Sequence, residues 1–216
     1  PSGTVERAGI RVEPGANAAA APNLTLRECT VSGNSWSGIA CAGDPATGRR
    51  PAIALQSSTV RGNRRASAAR EAGGGIAAAW CDLDLSGSTV EDNAAGSDGG
   101  DRGPGLGGGI SLAGSSLRLR DASKVTTNQA YGGPEPGGSG EGRGGGIAAD
   151  GASVLVIEAG STVTGNTAYP GDVVGGLGGG LFLSDCALAA GSDASFGSVE
   201  FNSPDDVGAL EGCPAP

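Results

Sequence analysis

The apolar positions of this chain fall into a three-part pattern that returns six times. Each unit opens with a glycine and one branched apolar residue: Gly9-Ile10, Gly38-Ile39, Gly75-Ile76, Gly109-Ile110, Gly146-Ile147 and Gly180-Leu181. In the last four units that glycine ends a run of three. An alternating apolar pair follows: Leu24/Leu26, Ile53/Leu55, Leu83/Leu85, Leu117/Leu119 and Leu155/Ile157, with Leu188 and Ala190 as a looser sixth. Each unit then has a valine three residues before an asparagine: Val31/Asn34, Val60/Asn63, Val90/Asn93, Val125/Asn128, Val163/Asn166 and Val199/Asn202. Immediately before the valine stands Thr30, Thr59, Thr89, Lys124, Thr162 or Ser198. Alternation with a period of two marks short strands. None of the segments has the length of a helix, and the density of glycine disfavours one.

Successive asparagines lie 29, 30, 35, 38 and 36 residues apart. Three short strands per period of that size predict a chain that winds round and stacks on itself, an all-β parallel β-helix. The general preference of β crossovers makes the expected hand right-handed. The coils are expected at about 9–34, 38–63, 73–93, 107–128, 144–166 and 178–202, with a tail at 203–216, in one domain over 1–216. Six coils about 4.8 Å apart make a rod roughly 30 Å long. Valine, leucine and isoleucine would fill a narrow interior. The asparagines would form a ladder at a turn, bonding to turn backbone and to each other. Glycine before the apolar residue lets the returning chain turn at positive φ and lie close to its neighbours. The chain lacks the frame of a leucine-rich repeat, the nine-residue period of a calcium-binding β-roll, and a phosphate-binding loop.

Most of the variation in repeat length falls between an asparagine and the next glycine run. The segments 64–72, 94–106, 129–143 and 167–177 hold 9, 13, 15 and 11 residues. Stacked coils would send these four loops out side by side from one corner, and loops of that length carry function or stay irregular. In the first two units the extra length lies earlier, around 14–22 and 43–50.

Composition narrows the function. Glycine makes up 43 of 216 residues without a three-residue period, which excludes collagen. Aromatics at 3% and hydrophobics at 38% fit a thin core of small and β-branched side chains. A net charge of -9 with Lys124 as the single lysine argues against nucleic acid, which needs clustered positive charge. No apolar run is long enough to insert in a membrane as a helix. The absence of methionine and the start at Pro1 suggest a mature or trimmed piece of a larger protein. The five cysteines lack metal-site spacing and there is no histidine, so neither metal nor other cofactor is expected. Buried thiols and disulfides both fit. Pairing Cys186 with Cys213 would tie down the tail.

Candidate chemistry is sparse. Asp98, Asp101, Glu135, Glu141 and Asp172 sit in the glycine-rich loops rather than on strands that would fix a catalytic pair. Asp98 and Asp101 could contact a partner; two acids alone make a weak calcium site. Tyr131 and Tyr169 each follow an asparagine by three residues in neighbouring units. They are expected to stack at the loop bases, as anchors or as a platform for a sugar or a protein. Asn23-Leu24-Thr25 is the one N-glycosylation sequence.

The GGG-[IL] and V-x-x-N elements, with Ala95, Ala130 and Ala168 two residues after their asparagines, resemble the GGA-[ILV] and F-x-x-N repeats of chlamydial polymorphic outer membrane proteins. The resemblance covers about residues 9–202, with valine in place of the family's phenylalanine. It implies a right-handed β-helix exposed at a cell surface, acting in adhesion or as a stalk. The expectation is a non-enzymatic extracellular segment that partners with proteins or further domains of its own chain, including homo-oligomers or filaments. The alternative is a carbohydrate-binding or carbohydrate-processing β-helix, whose mark would be acids and an arginine clustered on one exposed strand face. Neither end shows the pattern of a capping helix, so association at both ends is expected.

Overall fold

The computed structural model describes residues 8–15, 20–65, 73–96, 105–133, 142–169, 176–184 and 197–209. Among them are 22 strands and no helix. The strands form four parallel sheets, of seven, five, six and four strands. The first holds the segments after each glycine, running from Ile10–Val12 through Ile39–Ala42, Ile76–Ala79, Ile110–Ala113, Ile147–Asp150 and Leu181–Leu183 to Val207–Ala209. The second holds the alternating pairs, from Asn23–Arg27 to Val154–Ile157. The third holds the valines, from Thr30–Ser32 to Ser198–Glu200. The fold is a parallel β-solenoid. Equivalent residues stack in register: Val31, Val60, Val90, Val125, Val163 and Val199 form one continuous column.

Two details differ from the sequence pattern. A complete coil has four strands, not three, because Arg64–Arg65, Ala94–Ala95, Gln129–Ala130 and Thr167–Ala168 pair with one another just after each asparagine. Two residues are too few to show alternation, so that strand left only the alanines as a trace. Second, four of the six coils are complete in all four sheets. The first coil has no fourth strand, and the second-sheet segment of the sixth, with Leu188 and Ala190, lies outside the described residues.

The interior is built from columns. Ile39, Ile76, Ile110 and Ile147 are fully buried, as are Ile53, Leu55, Leu85, Leu119, Leu155, Val60, Val90, Val125 and Val163. Burying such side chains stabilises by about 1.5–3 kcal/mol each. In the first coil the equivalent Ile10, Leu24, Leu26 and Val31 are only partly buried, because nothing described lies above them.

The glycine before each column residue is fixed by contact rather than by conformation. A methyl group on Gly9, Gly38, Gly75, Gly109, Gly146 or Gly180 would come 2.6–2.9 Å from the side-chain nitrogen of Asn34, Asn63, Asn93, Asn128, Asn166 or Asn202 respectively. The two ends of each coil therefore meet where the asparagine stands, and glycine is the residue that leaves room for it. Positive φ applies to the first glycine of three of the four runs, Gly107, Gly144 and Gly178, with φ of 61°, 63° and 61°, and not to Gly73.

One disulfide joins Cys41 to Cys81, across neighbouring coils and inside the core. Cys186 and Cys213 lie outside the described residues, and Cys29 is a free, exposed thiol. The bridge closes a loop with a sequence separation of 40. Reducing it is expected to destabilise the protein by about 4 kcal/mol through the entropy of the unfolded chain. A lower thermal midpoint with reductant, absent in a Cys41→Ala/Cys81→Ala variant, checks this.

Candidate functional site

The asparagine column is the most ordered polar feature. From Asn34 to Asn166, each Nδ2 donates to the Oδ1 of the asparagine in the next coil, at 2.7, 2.9, 3.0, 3.0 and 3.0 Å. The backbone N–H of each also donates to that Oδ1, at 2.9–3.1 Å. From Asn63 onward, Nδ2 reaches back to the carbonyl of the previous coil's valine, as Asn128 does to Val90 at 3.0 Å. The four inner asparagines are buried, and these bonds offset the cost of taking an amide out of water.

Serines line two other corners in the same way. The backbone N–H groups of Cys29, Ser58 and Ser88 donate to the hydroxyls of Ser58, Ser88 and Ser123, each at 3.1 Å. Those of Cys81 and Ser115 donate to Ser115 and Ser153 at 3.0 and 3.1 Å. Cys29 and Cys81 thus occupy serine places. These serines escaped the sequence pattern because they neither alternate nor lie at a special spacing. A repeat alignment places Ser58, Ser88 and Ser123 one residue before the Thr-Val or Lys-Val step, and Ser115 and Ser153 two residues before the alternating pair.

The corner after the fourth sheet carries the loop roots. Tyr131 and Tyr169 donate their backbone N–H to Ala95 and Ala130, both at 2.8 Å. Their carbonyls accept from Gly105 and Gly142, on the returning legs, at 2.8 and 3.0 Å. Leu106, Arg143 and Leu177 continue the returning legs as parallel bridges. Outgoing and returning legs are therefore bonded to each other across coils. On the outgoing side the two tyrosine rings stack, with centroids 4.7 Å apart and planes 4° from parallel. Tyr131 Oη donates to Gln129 at 2.6 Å, and Tyr169 is partly open to solvent. On the returning side the Arg143 guanidinium lies 5.3 Å from the centre of the Phe182 ring, beside a recess of about 50 Å³. That volume suits a water rather than a ligand. Asp98, Asp101, Glu135, Glu141 and Asp172 lie outside the described residues.

The outer face of the second sheet holds a group of charges that the sequence pattern did not single out. Asp82 and Asp84 project from one strand, Arg118 and Arg120 from the next, and Glu158 follows the one after. Arg120 grips Asp84 through two nitrogens, at 2.8 and 3.0 Å, and reaches Asp121 at 2.6 Å. Asp82 accepts from Ser116 at 2.7 Å and from Arg50 at 3.1 Å, and Arg118 pairs with Glu158. The hydrogen bond to Asp84, chiefly, raises the Arg120 pKa above its ordinary value. Asp121 is held below the usual aspartate value, first by the hydrogen bond from Ser86 and then by the charge of Arg120. A glycosidase-type general acid would need a shift in the opposite direction. Alternation along the strand put these groups on one face, but only the register between strands shows that opposite charges meet.

Of the remaining sequence candidates, Asn23 is exposed at the start of its strand. Among the described residues, no group of three or more His, Cys, Asp or Glu could hold a metal ion. No protein-family model, curated protein or solved structure matches the chain. The fold and its columns define the class: a parallel β-solenoid with an internal asparagine ladder.

Proposed function

We propose that the protein is a non-enzymatic, extracellular structural or adhesive segment, a rigid rod that spaces and displays a crest of loops within a cell-surface protein or assembly. The observation that carries this reading is the loop corner, where outgoing and returning legs are bonded from coil to coil around the Tyr131–Tyr169 stack. Such a corner holds loops of different length at a fixed spacing. The resemblance of the repeat to polymorphic outer membrane proteins points the same way, and the internal disulfide suits an oxidising compartment. Protein partners, or further domains of the same chain, are the natural counterparts of the loops.

The test replaces 66–72, 97–104, 134–141 and 170–175 with short Gly-Ser links. Beads coated with the unaltered chain are expected to adhere to cell surfaces or to one another, and beads with the trimmed chain to lose that adhesion while keeping the same β-sheet spectrum. Equal adhesion by both proteins would remove the display role. A carbohydrate-binding or carbohydrate-processing role is a second reading, favoured by the acids and arginines on the second-sheet face. Binding or cleavage in a polysaccharide panel that disappears in Asp84→Asn would establish it instead.

A further inference from the structure

The two ends of the solenoid differ in what they offer a neighbour. At the C-terminal end the chain enters the first sheet a seventh time through Ser203-Pro204-Asp205-Asp206-Val207, where the four coils before it have GGG-[IL]. Leu181 N–H donates to the Asp206 carbonyl at 2.9 Å, as Ile147 N–H does to Gly180. Asp206 therefore holds the place of the third glycine, the place where the would-be methyl of six glycines points at the asparagine of the same coil. Its carboxylate uses that direction. Asn202 donates to Asp206 Oδ1 from its backbone N at 3.0 Å and from Nδ2 at 3.1 Å. These are the two bonds that Asn166 makes to Asn202, at 2.9 and 3.0 Å. Asp206 is thus the seventh rung, supplied by the wrong part of the coil. A seventh asparagine has nowhere to stand.

Pro204 supports this independently. It follows Ser203, which bridges Thr167, so it holds the place of Ala168. Ala168 N–H donates onward to the Ser203 carbonyl of the next coil at 2.8 Å. Proline has no N–H to pass on, and proline and charge on an edge are common means of stopping further pairing.

The N-terminal end also carries charge and proline, with Arg11 and Glu13 paired on its first strand and Pro14 and Pro22 beside its edge strands, but among the described residues no side chain there caps the asparagine ladder. Ile10–Val12, Asn23–Arg27 and Thr30–Ser32 each pair on one side only. Ile10, Leu24, Leu26 and Val31 leave the tops of four core columns half open; Leu183 and Val199 are likewise partly buried at the other end, so the ends differ in the ladder rather than in the core. Asn34 spends its Nδ2 on Asn63 and Ser32, while its Oδ1 faces away from the stack, in the direction from which every later Oδ1 receives two bonds.

We infer that the solenoid is one-ended: it takes a neighbour on its N-terminal edge, and Asp206 with Pro204 closes the other. The occupant is a further parallel coil of the same repeat, whose asparagine donates from Nδ2 and its backbone to Asn34 Oδ1 and whose apolar residues cover Ile10, Leu24, Leu26 and Val31. The C-terminal end of a second copy does not qualify. It brings a carboxylate, an acceptor, to an oxygen that needs donors, so the sequence expectation of association at both ends narrows to one. This rests on the ladder geometry and stands apart from the display role.

The test grafts one extra coil in register onto the full chain, either a duplicate of 109–145 immediately before Gly9 or a duplicate of 113–149 immediately after Ala209. The first graft is expected to raise the thermal midpoint by roughly 5 °C and to protect the added coil from protease. The second should leave the midpoint unchanged, with the added coil cleaved. Equal stabilisation by both grafts, or none from the first, overturns the inference. Sedimentation of the unaltered chain adds a second reading: a monomer is expected at concentrations of about 100 μM, and head-to-tail fibres would show that Asp206 and Pro204 close nothing.

Discussion

Gly109→Ala is expected to destabilise the protein by at least about 4 kcal/mol, more than overpacking usually costs. The added methyl would sit 2.7 Å from the carbonyl oxygen of Gly146 in the next coil and 2.9 Å from Asn128 Nδ2. Both neighbours are held. The Gly146 carbonyl accepts from Gly109 and Ile110 N–H, and Asn128 is tied into its column. Nothing can give way without opening the stack. Gly160→Ala is the control. Its φ is +80°, but a methyl there meets nothing within 4 Å. It should cost about 1 kcal/mol, the strain of a left-handed alanine. Denaturant midpoints of the two variants should differ several-fold in their shift from the parent. Similar shifts would mean that conformation, rather than contact, makes the repeat glycines necessary.

Asn128→Ala comes next, at about 4 kcal/mol. The substitution removes the acceptor of the Asn93 backbone and side-chain N–H groups and the donor to Val90, Thr126 and Asn166. Each buried group left without a partner costs about 1–3 kcal/mol. Asn34→Ala, at the open end, loses two side-chain bonds in a half-exposed setting and should cost about 1 kcal/mol. Amide hydrogen exchange locates the damage: Asn128→Ala should expose Asn93 N–H and its neighbours in both adjoining coils. Protection that stays unchanged there would mean that the column only decorates the corner.

The fold was legible because its signals are local and repeated. Val-x-x-Asn and Gly-Ile each mark one position of a coil, and six copies set the register without any knowledge of distances. What escaped the sequence lay in contacts between segments far apart along the chain. That Gly75 and Asn93, at the two ends of one coil, touch follows from coil closure, which no spacing states. The Cys41–Cys81 bridge likewise joins two different places in neighbouring coils, a core position and a serine place, so it carries no motif of its own. The charged face escaped because the pattern followed only the apolar positions Leu83, Leu85, Leu117 and Leu119; the residues between them meet only through the register that brings Arg120 onto Asp84. The tyrosines could be placed because each keeps a fixed distance from its asparagine. Their role could not, because a stacked pair looks the same as an anchor and as a binding platform.

The asparagine column has an electrical consequence. Every side-chain amide of the column points one N–H toward the C-terminal coil and its oxygen toward the N-terminal one, so the Nδ2-to-Oδ1 bonds all run in one direction along the axis and their dipoles add as peptide dipoles do in a helix. The positive end of that row falls on Asp206, a carboxylate, and the negative end on Asn34 Oδ1. The rod is therefore an electric vector with its positive pole neutralised and its negative pole left open.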